Sequence, residues 1–134
     1  MTHAFVVDAR INSLTGGTPV ATGINVAPGD LLTISVPSDD TWSAGTGNRT
    51  SNANGLGNPL GGNFGTHTSG LFEFLFGSLI GTLDNGRTYF AVGTRLEMSI
   101  LVKGKLGLLY WDSNNSDNTG SVTANVEVYK GPQP

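Results

Sequence analysis

The sequence predicts an all-β protein, an antiparallel β-sandwich of the jelly-roll kind. Short apolar segments alternate with polar residues at the period of a strand, and tight-turn sequences separate them. No segment has a convincing helical period, because the 20 glycines interrupt most windows. A length of 134 residues suits one domain, so we expect a single sandwich domain over residues 1–134.

Eight segments carry the strand pattern, and a ninth strand would complete a typical sandwich. Leu106 to Tyr110 is continuously apolar before a polar loop, whereas the segment after that loop alternates apolar and polar residues. Asp84-Asn85-Gly86 has the composition of a tight hairpin turn. In chain order, the predicted strands lie at residues 5–9, 32–36, 72–76, 78–83 (buried on both faces), 89–92, 96–102, 106–110 and 122–128.

The stretch from Asp39 to Ser69 has no strand pattern. It is rich in Gly, Asn, Ser and Thr and holds few residues suited to a core. A connection of this length without structure of its own is uncommon in a compact domain and is often functional. We therefore expect either a functional loop or a disordered segment.

Composition excludes several classes of function. Only 13% of residues are charged, the net charge is −3, and no basic cluster occurs, so nucleic-acid binding is not expected. The chain has no cysteine, which excludes disulfides and thiolate metal sites. Glu73, Glu97 and Glu127 each lie within a strand pattern and suggest no catalytic pair, so we do not expect an enzyme. Abundant neutral polar residues suit a hydroxylated ligand such as a sugar.

Neither a leader nor a membrane span is expected. Residues 1–10 lack the basic region and apolar core of a signal peptide, and the apolar stretch 71–83 is interrupted by polar residues and glycines. These features predict a cytoplasmic protein or one released without a classical signal peptide.

The highest concentration of site chemistry is the loop from Trp111 to Gly120, WDSNNSDNTG. Its short side chains carry carboxylate, amide and hydroxyl oxygens, and it lies between two predicted strands. Such a loop can gather the oxygen ligands that Ca²⁺ prefers. Short runs of Asp, Asn, Ser and Gly also form ordinary turns, so composition alone leaves both interpretations open.

The order of several short motifs resembles that of the PA-IL-type bacterial lectins. The resemblance is strongest over residues 71–130 and is weaker at Pro28-Gly29-Asp30 and Trp42. The motifs are Phe76-Gly77-Ser78-Leu79-Ile80-Gly81, Phe90-Ala91-Val92-Gly93, Gly107-Leu108-Leu109-Tyr110, Asp112 and Asp117-Asn118-Thr119-Gly120-Ser121. This resemblance implies a β-sandwich of the galactose-binding kind.

The resemblance also implies a set of calcium ligands. Asp112 corresponds to the aspartate that opens the family's calcium loop, and Asp117 and Asn118 correspond to the pair that closes it. Asn114 is the expected position of one main-chain carbonyl ligand. Ala44 (or the next residue, a glycine) is the expected position of the other.

The carbohydrate contacts implied are the same Asp112, Asp117 and Asn118. The histidine and glutamine of the family's middle loop are replaced here by the segment 58–62, where Asn58 could still hydrogen-bond a sugar. Trp42 is either a platform on which a sugar stacks or an aromatic residue of the core.

Together these features imply a calcium-dependent lectin for galactose or galactosides. In the family, Ca²⁺ binds sugar hydroxyls directly and the chains often assemble as tetramers, so we expect a homo-oligomer, either a tetramer or a dimer. The alternative function is a structural or assembly β-sandwich with a purely structural calcium or no metal.

Overall fold

The computed structural model describes residues 2–132, and within them every regular element is a strand. The strands are β1 (His3–Asp8), β2 (Val20–Val26), β3 (Leu31–Ser35), β4 (Trp42–Ser43), β5 (Thr50–Ser51), β6 (Thr66–Ser69), β7 (Phe72–Leu75), β8 (Leu79–Leu83), β9 (Thr88–Ala91), β10 (Arg95–Ser99), β11 (Gly104–Tyr110) and β12 (Thr119–Tyr129).

Two antiparallel sheets form the sandwich. One sheet has the order β10-β3-β12-β4-β5, with β1 also paired to β12, and the other has the order β2-β11-β8-β9. The short β6–β7 hairpin is a separate two-stranded sheet. The prediction of an all-β, antiparallel β-sandwich is confirmed.

The main core fills the space between the two sheets. Strand β12 directs Val122, Ala124 and Val126 inward, and each is at most 1% exposed. Val126 lies opposite Ile34 of β3, so the two strands present their apolar faces in register. This alternation is the one that the sequence displays.

A second apolar cluster covers the outer face of the four-stranded sheet. Ile80, Leu109 and Trp111 are fully buried there, with Phe72 and Phe74 of the β6–β7 hairpin packed against them. Strand β8 and residues 106–110 of β11 are therefore covered on both faces, which is why these segments are almost wholly apolar. The prediction that residues 78–83 are buried on both faces is confirmed.

Three details of the predicted element order were wrong. Strand β2 was missed. The stretch 39–69 is not structureless, since it contains β4, β5 and β6 and buries Ala53 and Leu56. Strand β10 ends at Ser99 instead of reaching 102: the Ile100 N–H still bonds to the Asp30 carbonyl (2.9 Å), but Leu101 and Val102 beyond it are exposed.

Residues 2–132 contain no helix with the length and apolarity that a bilayer span requires.

Candidate functional site

The loop 111–118 connects the two sheets at one end of the sandwich. Strand β11 ends at Tyr110 in one sheet, and β12 begins at Thr119 in the other sheet. Gly120 then pairs with Trp42 of β4 at a φ of 84°, and a Cβ on Gly120 would lie 3.1 Å from the Trp42 Cα. Glycine thus permits the close approach that brings β4, and the residues after it, beside the loop.

Asp112 opens the loop with a buried carboxylate. The residue is 5% exposed, and its Oδ1 accepts a hydrogen bond from the Ser113 N–H at 2.7 Å. Its main-chain carbonyl accepts another from the Thr15 hydroxyl at 3.0 Å, which anchors the loop to the β1–β2 connection. The other carboxylate oxygen, Oδ2, is buried and has no hydrogen-bond partner among residues 2–132.

Asn118, at the other end of the loop, is also buried. The residue is 2% exposed, and its side-chain Nδ2 donates to the Ala9 carbonyl at 2.7 Å. Its Oδ1 is buried and, within the described part of the chain, accepts no hydrogen bond. A buried acceptor without a partner is costly, so two of them on one loop indicate a site for a donor or a cation.

The predicted ligands Asp112, Asn114, Asp117 and Ala44 all line one pocket of about 270 Å³. Asn114 Oδ1 accepts the Ser116 N–H at 2.9 Å, so the side chain serves the turn of the loop itself. This arrangement suits the expectation that Asn114 contributes a main-chain carbonyl.

Asp117 and Ala44 come together through the residue between β4 and β5. A Cβ on Gly45 would lie 3.2 Å from the Asp117 Cβ. The loop that follows Trp42 and the end of the loop 111–118 are therefore in direct proximity, as a shared ion site would require. Asn118 lies at the same end of the loop but does not line the pocket.

The donor set fits a hard cation. It consists of two carboxylates (Asp112 and Asp117), one side-chain amide (Asn118) and two main-chain carbonyls (Asn114 and Ala44), all oxygen donors of the type that Ca²⁺ accepts. The residues from 2 to 132 contain no cluster of three or more His, Cys, Asp and Glu side chains suited to a metal. Amide and carbonyl oxygens would therefore have to complete the site.

Two predicted carbohydrate contacts lie elsewhere. Trp42 is 1% exposed, packs edge-on against Tyr110 with ring centroids 4.6 Å apart, and donates its indole N–H to the Gly77 carbonyl at 2.9 Å. The predicted role as a sugar-stacking platform was wrong, because Trp42 is a core residue. Asn58 is exposed but lines a different pocket, beside Asn54, so the structure does not bring it to the loop 111–118.

Sequence reasoning missed four other residues that line the pocket. They are Arg49, Leu56, Phe64 and Phe76, three of them from the stretch 39–69. The Arg49 guanidinium carbon lies 5.1 Å from the centroid of the Phe64 ring. No spacing pattern joins these residues, because the chain between Asn48 and Gly62 folds back on itself through the Gly62 N–H to Asn48 carbonyl bond (2.8 Å).

Tyr110 lies directly before the loop with its hydroxyl buried. Burial raises the pKa of the Tyr110 phenol well above its ordinary value, and the negative charge of Asp112 raises the pKa further. The phenol is therefore neutral and the local field at this end of the sandwich is negative, which favours a cation.

Comparison with known proteins gave matches in structure only. No protein-family model matches the chain, and no curated protein matches it in sequence. The structure is similar to the solved N-terminal domain of EclA, described as a PllA-like lectin, with a TM-score of 0.66 and 21% sequence identity. The similarity covers 94% of this chain and 95% of that one, so the chain shares the β-sandwich fold of that lectin domain over nearly its full length.

Proposed function

We propose that this protein is a calcium-dependent lectin that binds galactose-type saccharides. The observation that carries the proposal is the pair of buried, unpartnered oxygens, Asp112 Oδ2 and Asn118 Oδ1, at the two ends of one loop. A calcium ion would satisfy both. A loop that only formed turns would gain nothing from leaving them without donors.

The residues that would hold the ion are Asp112, Asp117 and Asn118, with main-chain carbonyls at Asn114 and Ala44. When bound, Ca²⁺ would supply free coordination positions to two neighbouring hydroxyls of a sugar. The carboxylates of Asp112 and Asp117 would accept hydrogen bonds from those hydroxyls. Such charge-assisted bonds are stronger than neutral ones and suit a strongly hydrated ligand in a shallow site.

Two further observations support a lectin. The fold is that of a solved domain described as a PllA-like lectin. The pocket also combines three apolar side chains, Leu56, Phe64 and Phe76, with the carboxylates. A sugar has one polar and one apolar face, and a pocket lined by both kinds of group can contact both. The choice of galactose rests on the order of the sequence motifs.

We further propose that the chain acts as a homo-oligomer, a dimer or a tetramer. A small site bounded by a few polar groups binds one sugar weakly, and several sites on one particle raise the apparent affinity by avidity. Sedimentation equilibrium would give the mass of the particle, and a monomer at all concentrations would contradict this part of the proposal.

A glycan array tests the proposed function. We expect binding to galactose-terminated glycans in calcium, loss of binding in a chelator, and recovery when calcium is restored. Asp112→Asn should bind no glycan, whereas Glu97→Gln, which removes one negative charge at the edge strand β10, should bind as the parent does. Binding that persists in the chelator would contradict the proposal.

A further inference from the structure

We propose that Arg49 forms a subsite for an anionic substituent, a carboxylate or a sulfate, on the saccharide. This inference rests on the proposed lectin function and names the class of sugar that the same pocket would prefer. The observation behind it is a single cationic side chain that lines the same pocket as Asp112 and Asp117.

The main chain of Arg49 is fixed to the segment that would supply a calcium ligand. Its carbonyl accepts the Ala44 N–H at 2.9 Å and the Ser43 hydroxyl at 3.2 Å. These two bonds fix the main chain from which the Arg49 side chain extends into the pocket.

The side chain of Arg49 is also held in place. Its guanidinium carbon lies over the ring of Phe64, 5.1 Å from the ring centroid. A guanidinium carries five N–H donors, so this contact with one ring still leaves N–H groups that can donate to a ligand. A planar fork of donors is suited to a carboxylate or a sulfate.

Arg49 has no anionic partner within residues 2–132, although a carboxylate is near. Its Nη1 lies 3.8 Å from the position that a Cβ on Gly45 would take, and Asp117 Oδ2 lies 3.9 Å from the same point. The two groups nevertheless form no ion pair. Asp117 is thus left to the proposed ion, and the guanidinium is left to a ligand.

The charges that line the pocket make this subsite dependent on calcium. Asp112 and Asp117 contribute two negative charges and Arg49 one positive charge, so the pocket alone is negative and repels anions. A divalent cation reverses the sign. An anionic sugar would then be attracted by both the ion and the guanidinium, even though the whole chain carries a net charge of −3.

Calorimetric titration in saturating calcium tests the subsite. The ligands are methyl galactoside, its C6 carboxylate (methyl galacturonoside) and its 6-sulfate, all of one anomer. We expect at least one anion to bind about five- to tenfold more tightly than the neutral sugar, in the range of a charge-assisted hydrogen bond at a partly exposed site. The two anionic arms distinguish a carboxylate from a sulfate, and the preference should shrink as salt rises.

Variants assign the preference to Arg49. In Arg49→Gln the ratio of anionic to neutral affinity should fall to about one, whereas Arg87→Gln, which removes the same charge from the β8–β9 turn, should keep the ratio of the parent. Arg49→Lys should give an intermediate ratio, because an ammonium lacks the planar fork. Melting temperatures without calcium show whether each variant folds.

The outcomes separate this inference from the proposed function. A parent protein that binds the neutral galactoside only with calcium, but shows no preference for either anion, overturns the subsite and leaves the lectin intact. A preference that survives in Arg49→Gln also overturns it. Absence of any calcium-dependent sugar binding overturns both.

Discussion

Asn118 donates its side-chain amide to the Ala9 carbonyl at 2.7 Å, and this bond orients the buried Oδ1 of the same side chain away from β1. The neighbouring carbonyl, that of Arg10, accepts the amide of Asn115 at 3.0 Å. Two asparagines of one loop therefore attach it to consecutive carbonyls, but only Asn118 is a proposed calcium ligand.

This pair gives a matched test. Asn118→Ala removes a buried hydrogen bond and a ligand, so we expect a loss of about 1–3 kcal/mol in stability and a calcium affinity reduced at least tenfold. Asn115→Ala removes a more exposed bond, and its calcium affinity should stay close to that of the parent. Thermal melts with a calcium titration measure both quantities. Equal loss of calcium affinity in the two variants would mean that the affinity depends on the attachment of the loop and not on the Asn118 oxygen.

Asp112 predicts a conflict between stability and function. Its Oδ2 is a buried carboxylate oxygen without a hydrogen-bond partner in the described residues, so neutralising the side chain should relieve a cost. We expect Asp112→Asn without calcium to be as stable as the parent or more stable by about 1 kcal/mol. The same variant should lose the stabilisation that calcium gives the parent, about 2.7 kcal/mol at a hundredfold excess over Kd.

Tyr110→Phe is the control for that prediction. It also removes a buried oxygen without a partner among residues 2–132, yet the phenol is not a proposed ligand. We expect a comparable gain in stability without calcium and a full response to calcium. Denaturant midpoints with and without the ion give the comparison. A Tyr110→Phe protein that is no longer stabilised by calcium would contradict the expectation that the phenol is not a ligand.

The closeness of Gly45 to Asp117 can be tested by adding a methyl group at Gly45. Gly45→Ala would force an alanine into a φ of 133° and place its Cβ 3.2 Å from the Asp117 Cβ, so both stability and calcium affinity should fall. Gly47→Ala imposes a positive φ of 77° with no atom within 4 Å of the new Cβ. It should cost about 1 kcal/mol in stability and leave calcium affinity unchanged. Isothermal titration with calcium separates the cost of a positive φ, which both variants have, from the contact with Asp117, which only Gly45→Ala makes. Similar calcium affinities in the two variants would contradict a role for that contact in the site.

Asp30 predicts a pH dependence away from the site. Its fully buried carboxylate accepts hydrogen bonds from the Gly131 N–H (3.0 Å), the Ala27 N–H (2.9 Å) and the Lys130 ammonium (3.1 Å), which fix the end of β12. The Gly131 and Ala27 bonds, followed by Lys130, lower the pKa of Asp30 below its ordinary value of 3.8. A lowered folded-state pKa stabilises the protein above the unfolded value and loses that effect as pH falls through the folded value.

Asp30→Asn should therefore be less stable than the parent at neutral pH, and the difference should shrink as pH falls below 3.8. Urea midpoints at a series of pH values measure the difference, with the exposed Asp39→Asn as the control for the lost charge. A difference in stability between the parent and Asp30→Asn that stays constant over this pH range would rule out the proposed dependence on the Asp30 pKa.

The sequence predicted a strand correctly where the burial of its residues follows a regular pattern along the chain. Strands β3, β10 and β12 alternate apolar and polar residues because one face lies on the core. Strand β8 and residues 106–110 of β11 are almost wholly apolar because the β6–β7 hairpin covers their second face. Strand β2 was missed because Gly23, at a φ of 73°, interrupts its alternation where the register with β11 shifts.

The site was predictable only in its local part. The loop 111–118 is contiguous, so its oxygen-rich composition could be seen directly. Arg49 and Phe64 reach the pocket through the folding of a glycine-rich segment that has no periodic pattern. For Trp42 the sequence left a sugar platform and a core position both open, because a sequence does not reveal whether other strands will cover an aromatic side chain.

The most direct measurement is a crystal structure of the protein grown with calcium and methyl galactoside. The account predicts an ion bound by Asp112 Oδ2 and Asn118 Oδ1 at about 2.3–2.6 Å, with two hydroxyls of the sugar in the same coordination shell. A galactoside bound elsewhere, or these two oxygens facing only water in saturating calcium, would contradict it.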